Sequence, residues 1–159
     1  MQNLSIKKIV VNIGVGKLSG QPNFNDKILP GIMSELAQIT GQKAKTNPTK
    51  KAIAGFKTRV GQIVGVMVTL RGQRARDFCS RLVISALPRV KDFRGLLIKN
   101  VDKNGNLNIG IKEHLAFPEI KAEESARDFG LQITFVLNGV FTRDEAIEYY
   151  RKLGIPLKK

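Results

Sequence analysis

The chain has little from which to build a reactive centre. Of its 159 residues one is cysteine, Cys79, one is histidine, His114, and none is tryptophan. A lone cysteine cannot close an internal disulfide, and one Cys with one His cannot assemble a Cys/His metal cluster. No Ser, Cys or paired acid stands where it could use His114 as a base, so that residue reads as a surface or packed histidine. No apolar run approaches the length of a membrane span, and the N-terminal Met-Gln-Asn-Leu-Ser-Ile-Lys-Lys lacks the order of a signal peptide. The expected setting is reducing and cytoplasmic, with no membrane partner and no cofactor. Repeats, low-complexity tracts and Pro/Ser-rich linkers are absent too, so the expectation is one domain over 1–159 with a core drawn from the 42% hydrophobic content.

Acidic residues are also scarce, 13 against 27 Lys and Arg, and the imbalance is local. Between Gly41 and Lys99 fourteen Lys and Arg face only Asp77 and Asp92, a net +12 of the chain's +14. Residues 100–159 are neutral overall. A surface charged merely for solubility mixes both signs. Cations concentrated this way repel one another, and a polyanion whose condensed counterions they displace offsets that cost. The segment reads as RNA-binding.

Periodicity supplies the elements. Ile9, Val11 and Ile13 alternate with Lys8, Val10 and Asn12, the pattern of a half-buried strand with Asn12 on the outer face. Gly14, Gly16 and Gly20 follow as G-x-G-x-x-x-G, a spacing that departs from a dinucleotide fingerprint and has no acid about twenty residues on. Asp26 is placed to cap a helix carrying Ile28, Leu29, Ile32, Met33, Leu36 and Ile39, with Pro30 in its first turn and Gly41 at its end. A short strand over 42–46, a long loop over 50–62 and a strand over 63–70 come next. In the last, Val64, Val66, Val68 and Leu70 face the core, and Gly65, Met67 and Thr69 face away.

Ala75, Phe78, Cys79, Leu82, Val83, Ala86 and Leu87 then repeat at three and four, predicting a helix that Pro88 stops, with Cys79 in the core and Arg74, Arg76 and Arg81 outside. Residues 96–101 and 107–112 flank Asn104-Gly105 and predict a hairpin. A short acidic turn at Glu123 and Glu124 precedes a strand with Leu131, Ile133, Phe135 and Leu137 on one face. A capping box at Thr142 and Glu145 opens the last helix, which ends at Gly154. The predicted fold class is α+β, a single layer of helices packed on one face of a mostly antiparallel sheet.

Several stretches together carry a resemblance: Val11-Asn-Ile-Gly-Val-Gly16, Gly41-Gln-Lys43, Ala54-Gly-Phe-Lys-Thr-Arg59, Val68-Thr-Leu-Arg-Gly72, Pro88-Arg-Val-Lys-Asp-Phe-Arg-Gly95 and Phe117-Pro-Glu119. In this order the chain resembles the bacterial large-subunit ribosomal protein five family. The resemblance implies a non-enzymatic constituent of the large ribosomal subunit in the cytoplasm that binds 5S rRNA and attaches it in the central protuberance. It further implies 23S rRNA, other 5S-associated large-subunit proteins, peptidyl-site tRNA and small-subunit ribosomal protein thirteen as partners.

Matching motifs carry the family's 5S rRNA contacts onto Asn12, Gln42 and Thr69, with Lys8, Lys43 and Arg71 beside them. Amides and hydroxyls of this kind read ribose hydroxyls and exposed base edges, while the cations neutralise phosphates. Ala54, Gly55, Phe56, Lys57, Thr58 and Arg59 resemble the tRNA-contacting loop. Thr58 stands where the family often has a branched aliphatic residue, and the family's usual helical extension before the first strand is missing from this sequence. A free RNA chaperone or regulatory RNA binder, and a nucleotide-dependent enzyme using Gly14, Gly16 and Gly20, are the alternatives.

Overall fold

The computed structural model describes residues 4–52, 55, 59–125, 127–139 and 141–158. Its centre is a five-stranded antiparallel sheet built from β1 (Ser5–Gly14), β2 (Lys45–Pro48), β3 (Ile63–Leu70), β5 (Leu107–Ile111) and β6 (Leu131–Asn138). The strand order is β2-β3-β1-β6-β5, so the first strand lies in the middle. Because strand side chains alternate, register decides the faces. Ile9 pairs with Leu70 and Phe135, Val11 with Val68 and Ile133, and Ile109 with Ile133, which gathers the fully buried strand side chains on one side. Helices α1 (Leu29–Thr40), α2 (Gln73–Arg81) and α3 (Arg143–Lys152) supply the rest of that core, as the predicted α+β layer requires.

Helix α1 is preceded by a π-turn, Phe24–Ile28, anchored by the buried Phe24. The chain is therefore already helical when it reaches Asp26. That residue lies inside the turn and caps nothing, contrary to the capping role its spacing predicted, because a cap must sit outside the helical dihedrals. Gly41 ends α1 at φ 75°, a left-handed conformation that glycine adopts without a Cβ clash.

The following strand starts three residues later than predicted, at Lys45 and not Gln42, and its ladder slips between Asn47 and Pro48, where proline has no N–H to give. Strand β3 matches its predicted bounds, although Val64 is half-buried where the alternation put it in the core. Past Arg81 the helical path continues as a π-turn (Leu82–Ala86) and a 3-10 turn (Leu87–Arg89), so Pro88 lies within the last turn and the chain becomes extended only at Val90. Arg81 is not on the outer side: half-buried, its Nη1 donates to Glu119 Oε1 and to the Ile39 carbonyl, both at 2.9 Å.

The predicted hairpin survives as a turn and a single bridge, Val101 to Leu107. Asp102 Oδ1 accepts from the backbone N–H groups of Asn104 and Asn106, and Gly105 takes φ 81°. A Cβ at Gly105 would stand 2.2 Å from the Phe141 ring and 3.1 Å from Ala146 Cβ, so the turn is closed to any other residue. What shortens the ladder is Arg143, whose guanidinium donates to the carbonyls of Ile98 and Val101 and leaves 98–100 as a 3-10 turn. Leu96 and Leu97 form β4 and pair instead in parallel with β7 (Leu157–Lys158).

The capping box at the start of α3 forms as the sequence predicts, with Thr142 and Glu145 each satisfying the other's backbone N–H. The Tyr150 hydroxyl donates to the Gly105 carbonyl at 2.7 Å, tying this helix to the turn.

Candidate nucleic-acid interface

Among the described residues no helix covers the second face of the sheet. The same registers that bury Ile9 and Val11 turn Lys8, Val10 and Asn12 outward, with Asn12 opposite Met67 on one side and Gln132 on the other. Val10 lies opposite Thr69 and Thr134, and Thr134 lies opposite Asn108, to whose Oδ1 it donates at 2.9 Å. Lys45 is paired with Met67 and Asn47 with Gly65. The Asn12 and Asn47 amides flank Gly65 on this face, where a Cβ would make ordinary contact with both, 3.5 Å from Asn12 Oδ1 and 3.7 Å from the Asn47 side chain. The face is a field of amides and hydroxyls interrupted by half-buried Val10, Met67 and Val136.

Asn12 and Thr69, assigned to non-core faces by alternation alone, stand one register step apart on this surface, Asn12 exposed and Thr69 half-buried. Lys8 lies on the same face two residues before Val10, and Arg71 follows directly from β3. Gln42 arrives differently. Strand β2 stops pairing with β3 at Met67, which leaves the Thr69 carbonyl without a strand partner, and Gln42 Nε2 donates to it at 2.9 Å. Gln42 Oε1 accepts from Arg74 Nη1 at 3.1 Å, and Lys43 is exposed beside it. Lys8, Lys43, Arg71 and Arg74 make no ion pair with a described acid: the charge at this end of the sheet is not neutralised by the described residues.

Ala54, Phe56, Lys57 and Thr58 lie outside the described residues. Gly55 is exposed, and Arg59 is exposed with its backbone fastened, its N–H donating to Gln62 Oε1 at 3.0 Å and its carbonyl accepting from Thr49 Oγ1.

His114 is fully buried, stacked 3.8 Å from the Phe129 ring, with Nε2 3.0 Å from both Glu35 Oε2 and Ser125 Oγ. The Phe129 N–H donates to Nδ1, which places the ring proton on Nε2, facing Glu35. A serine hydroxyl and a carboxylate thus do stand beside His114, contrary to the reading from sequence, but both meet the same ring nitrogen and the other is taken by the Phe129 N–H, so no acid–histidine–serine relay runs across the ring. Burial pushes the Cys79 thiol up to about 11, the signature of an inert core cysteine. Among the described residues no group of three His, Cys, Asp or Glu could hold a metal, and no helix is long and apolar enough to cross a membrane. Gly14, Gly16 and Gly20 leave a central strand of an antiparallel sheet and enter turns, without the parallel strand–helix unit that a dinucleotide loop needs.

Sequence reasoning missed Arg74, because the bond to Gln42 spans 32 residues and no local pattern announces it. It also passed over Asn108, Gln132 and Thr134, which belong to the neutral part of the chain. Their alternation with the apolar residues of β5 and β6 was the available signal.

A helix-covered sheet whose other face carries amides and hydroxyls, rimmed by cations that no described acid pairs, has the make-up of a surface for a polyanion. Residues 1–59 match the family described as Ribosomal protein L5, and residues 63–157 match the C-terminal model of the same ribosomal family. The chain is 44% identical over 159 residues to the large ribosomal subunit protein uL5 of Desulfotalea psychrophila, covering 100% of this chain and 86% of the relative. It is 44% identical over 159 residues to that of Thermobifida fusca (100% and 81%), and 41% identical over 154 residues to that of Halothermothrix orenii (97% and 83%). The chain belongs to the ribosomal protein L5 family, a family of structural large-subunit ribosomal proteins and not of enzymes.

Proposed function

We propose that this protein binds 5S rRNA through the helix-free face of its sheet and fastens it to 23S rRNA in the central protuberance, beside the other 5S-associated proteins. The observation that carries this reading is the juxtaposition of exposed Asn12 and half-buried Thr69 with the unneutralised Lys8, Lys43 and Arg71. Gln42 holds the same corner together. Amide and hydroxyl groups on a twisted sheet suit an irregular RNA whose ribose hydroxyls and base edges are open, and the surrounding cations supply the sequence-independent attraction. The family membership supports the same choice of partner. In this reading residues 54–59 contact peptidyl-site tRNA, and another surface bridges to small-subunit protein thirteen.

The test is equilibrium binding to a 5S rRNA transcript over a salt series. The log–log slope should grow by about 0.7 to 0.9 per phosphate contact, giving a steep overall dependence. Asn12→Ala and Thr69→Ala should each weaken binding by about 1 kcal/mol without lowering the melting temperature. A flat salt response, or melting losses with unchanged affinity, would sink the assignment. Co-sedimentation with large subunits separates a ribosomal constituent from a free RNA chaperone.

A further inference from the structure

Resting on the reading of residues 54–59 as a tRNA-contacting loop, we infer that Gln62 is a positioning residue, bracing Arg59 and the end of that loop against the turn that follows β1. Gln62 is half-buried and its amide is used at both ends. Oε1 accepts from the Arg59 N–H at 3.0 Å, and Nε2 donates to Ser19 Oγ. A backbone N–H can only donate, so that bond fixes which way the amide points. Ser19 Oγ donates onward to the Gly16 carbonyl at 2.6 Å. A chain of three hydrogen bonds thus runs from the loop to a turn 43 residues away.

The turn is a firm footing. Val15 is fully buried, its N–H donates to the Val64 carbonyl at 2.9 Å, and its carbonyl accepts from the Ser19 N–H at 3.0 Å. The loop's two legs are also closed on each other. The Thr49 N–H donates to the Gln62 carbonyl at 2.8 Å, the Gly61 N–H donates to the Thr49 carbonyl at 3.0 Å, and Thr49 Oγ1 donates to the Arg59 carbonyl. Those bonds shut the stem, but only Gln62 joins it to Ser19, so the brace decides where the stem points. The turn holding Gly14, Gly16 and Gly20 then has a role other than a phosphate cradle. Arg59 is exposed and makes no ion pair with a described acid. A cation whose backbone is already held loses less freedom when it meets a phosphate.

The experiment measures the dissociation rate of tRNA from the peptidyl site of ribosomes reconstituted with the full chain, at low salt. The variants are Gln62→Ala, Ser19→Ala, Ser19→Thr, the pair Lys57→Ala with Arg59→Ala, and that pair combined with Gln62→Ala. Melting curves and affinity for a 5S rRNA transcript are taken on the same proteins. Gln62→Ala should speed dissociation about threefold, and Ser19→Ala, outside the loop, should act in the same direction, with 5S rRNA affinity at the wild-type value. Ser19→Thr keeps the hydroxyl and should recover slow dissociation. Once Lys57 and Arg59 are both alanine, removing the Gln62 amide should add nothing. Additive losses, or a loss in Gln62→Ala with none in Ser19→Ala, would show that Gln62 meets the tRNA itself and would overturn the proposal. A fall in 5S rRNA affinity in step with the tRNA effect would also overturn it, as the mark of a general loosening of the fold. Should Gln62→Ala lower the melting temperature, the Ser19→Ala and Ser19→Thr comparison still decides. Unchanged dissociation in the charge pair would remove the tRNA reading and this inference with it, whereas an effect there with none in Gln62→Ala would overturn the inference alone.

Discussion

On β1, Ile9, Val11 and Ile13 point to one side and are at most 1% exposed, whereas Lys8, Val10 and Asn12 point to the other and stay half-buried or open to solvent. The same contrast runs through β3 and β6. One face excludes every charge and is sealed by three helices; the other mixes amides, hydroxyls, valines and a methionine under a cationic rim. A face left bare only for solubility would interleave Lys and Glu and would have little reason to keep Val10, Met67 and Val136 half-covered. Backbone pairing alone therefore presents the candidate binding surface. Any change to register would exchange the two faces and destroy fold and interface together.

Damage to the sealed side should be the most severe. Phe135 is fully buried and meets the Tyr150 ring edge-on with centroids 6.1 Å apart, while its chain neighbour Thr134 faces outward. Phe135→Ala should lower unfolding stability by about 3 to 5 kcal/mol in a denaturant titration. Thr134→Ala gives up one hydrogen bond to Asn108 and should cost about 1 kcal/mol or less. Comparable losses at both positions would mean that the faces are not energetically distinct.

The alternation that separates the faces was legible because it needs only neighbouring residues. Strand β3, the capping box at Thr142 and the burial of Cys79 follow directly from their local patterns. What sequence missed was decided at a distance. Arg143 captures the carbonyls of Ile98 and Val101, so a strong hairpin signal at Asn104-Gly105 yields one bridge. Gln42 occupies the edge of β3, so the strand predicted to begin there begins at Lys45. The candidate interface was half legible for the same reason: alternation points Asn12 and Thr69 outward, but no periodicity reveals that Gln42 and Arg74 meet.

A second prediction, smaller than deletion of an aromatic, concerns pH. Burial raises the Cys79 thiol to about 11 and raises the Tyr150 hydroxyl above its ordinary value, so the folded core holds both groups protonated. The unfolded chain releases those protons at lower pH, near 8.5 for the thiol and near 10 for the phenol. Their contribution is therefore fully present below about pH 8.5 and is lost progressively as pH climbs through the raised values. Urea midpoints should be level between about pH 7 and 8.5 and should fall between about pH 9 and 11. A midpoint that rises over that interval would contradict the burial of both groups.

Cations that lie off the sheet should matter least for 5S rRNA binding. In the proposed function Lys57 and Arg59 serve the tRNA-contacting loop, flanking Thr58 and close to Phe56. Arg59 is held through its backbone by Gln62 and Thr49, so removal of its side chain leaves the loop's described anchors in place. Lys57→Ala combined with Arg59→Ala should then leave the melting temperature unchanged and shift 5S rRNA affinity by about twofold at most, a remnant of long-range attraction screened within about 10 Å at 0.1 M salt. On reconstituted ribosomes the same pair should weaken retention of peptidyl-site tRNA, most at low salt and less as salt rises and screens the charges that were removed. Phe56→Ala should act in the same direction if its ring stacks on RNA, since a base–aromatic stack contributes about 1 to 3 kcal/mol. If the double charge variant loses 5S rRNA as badly as Asn12→Ala does, the loop and the sheet serve one RNA. The division of partners between the two surfaces then fails.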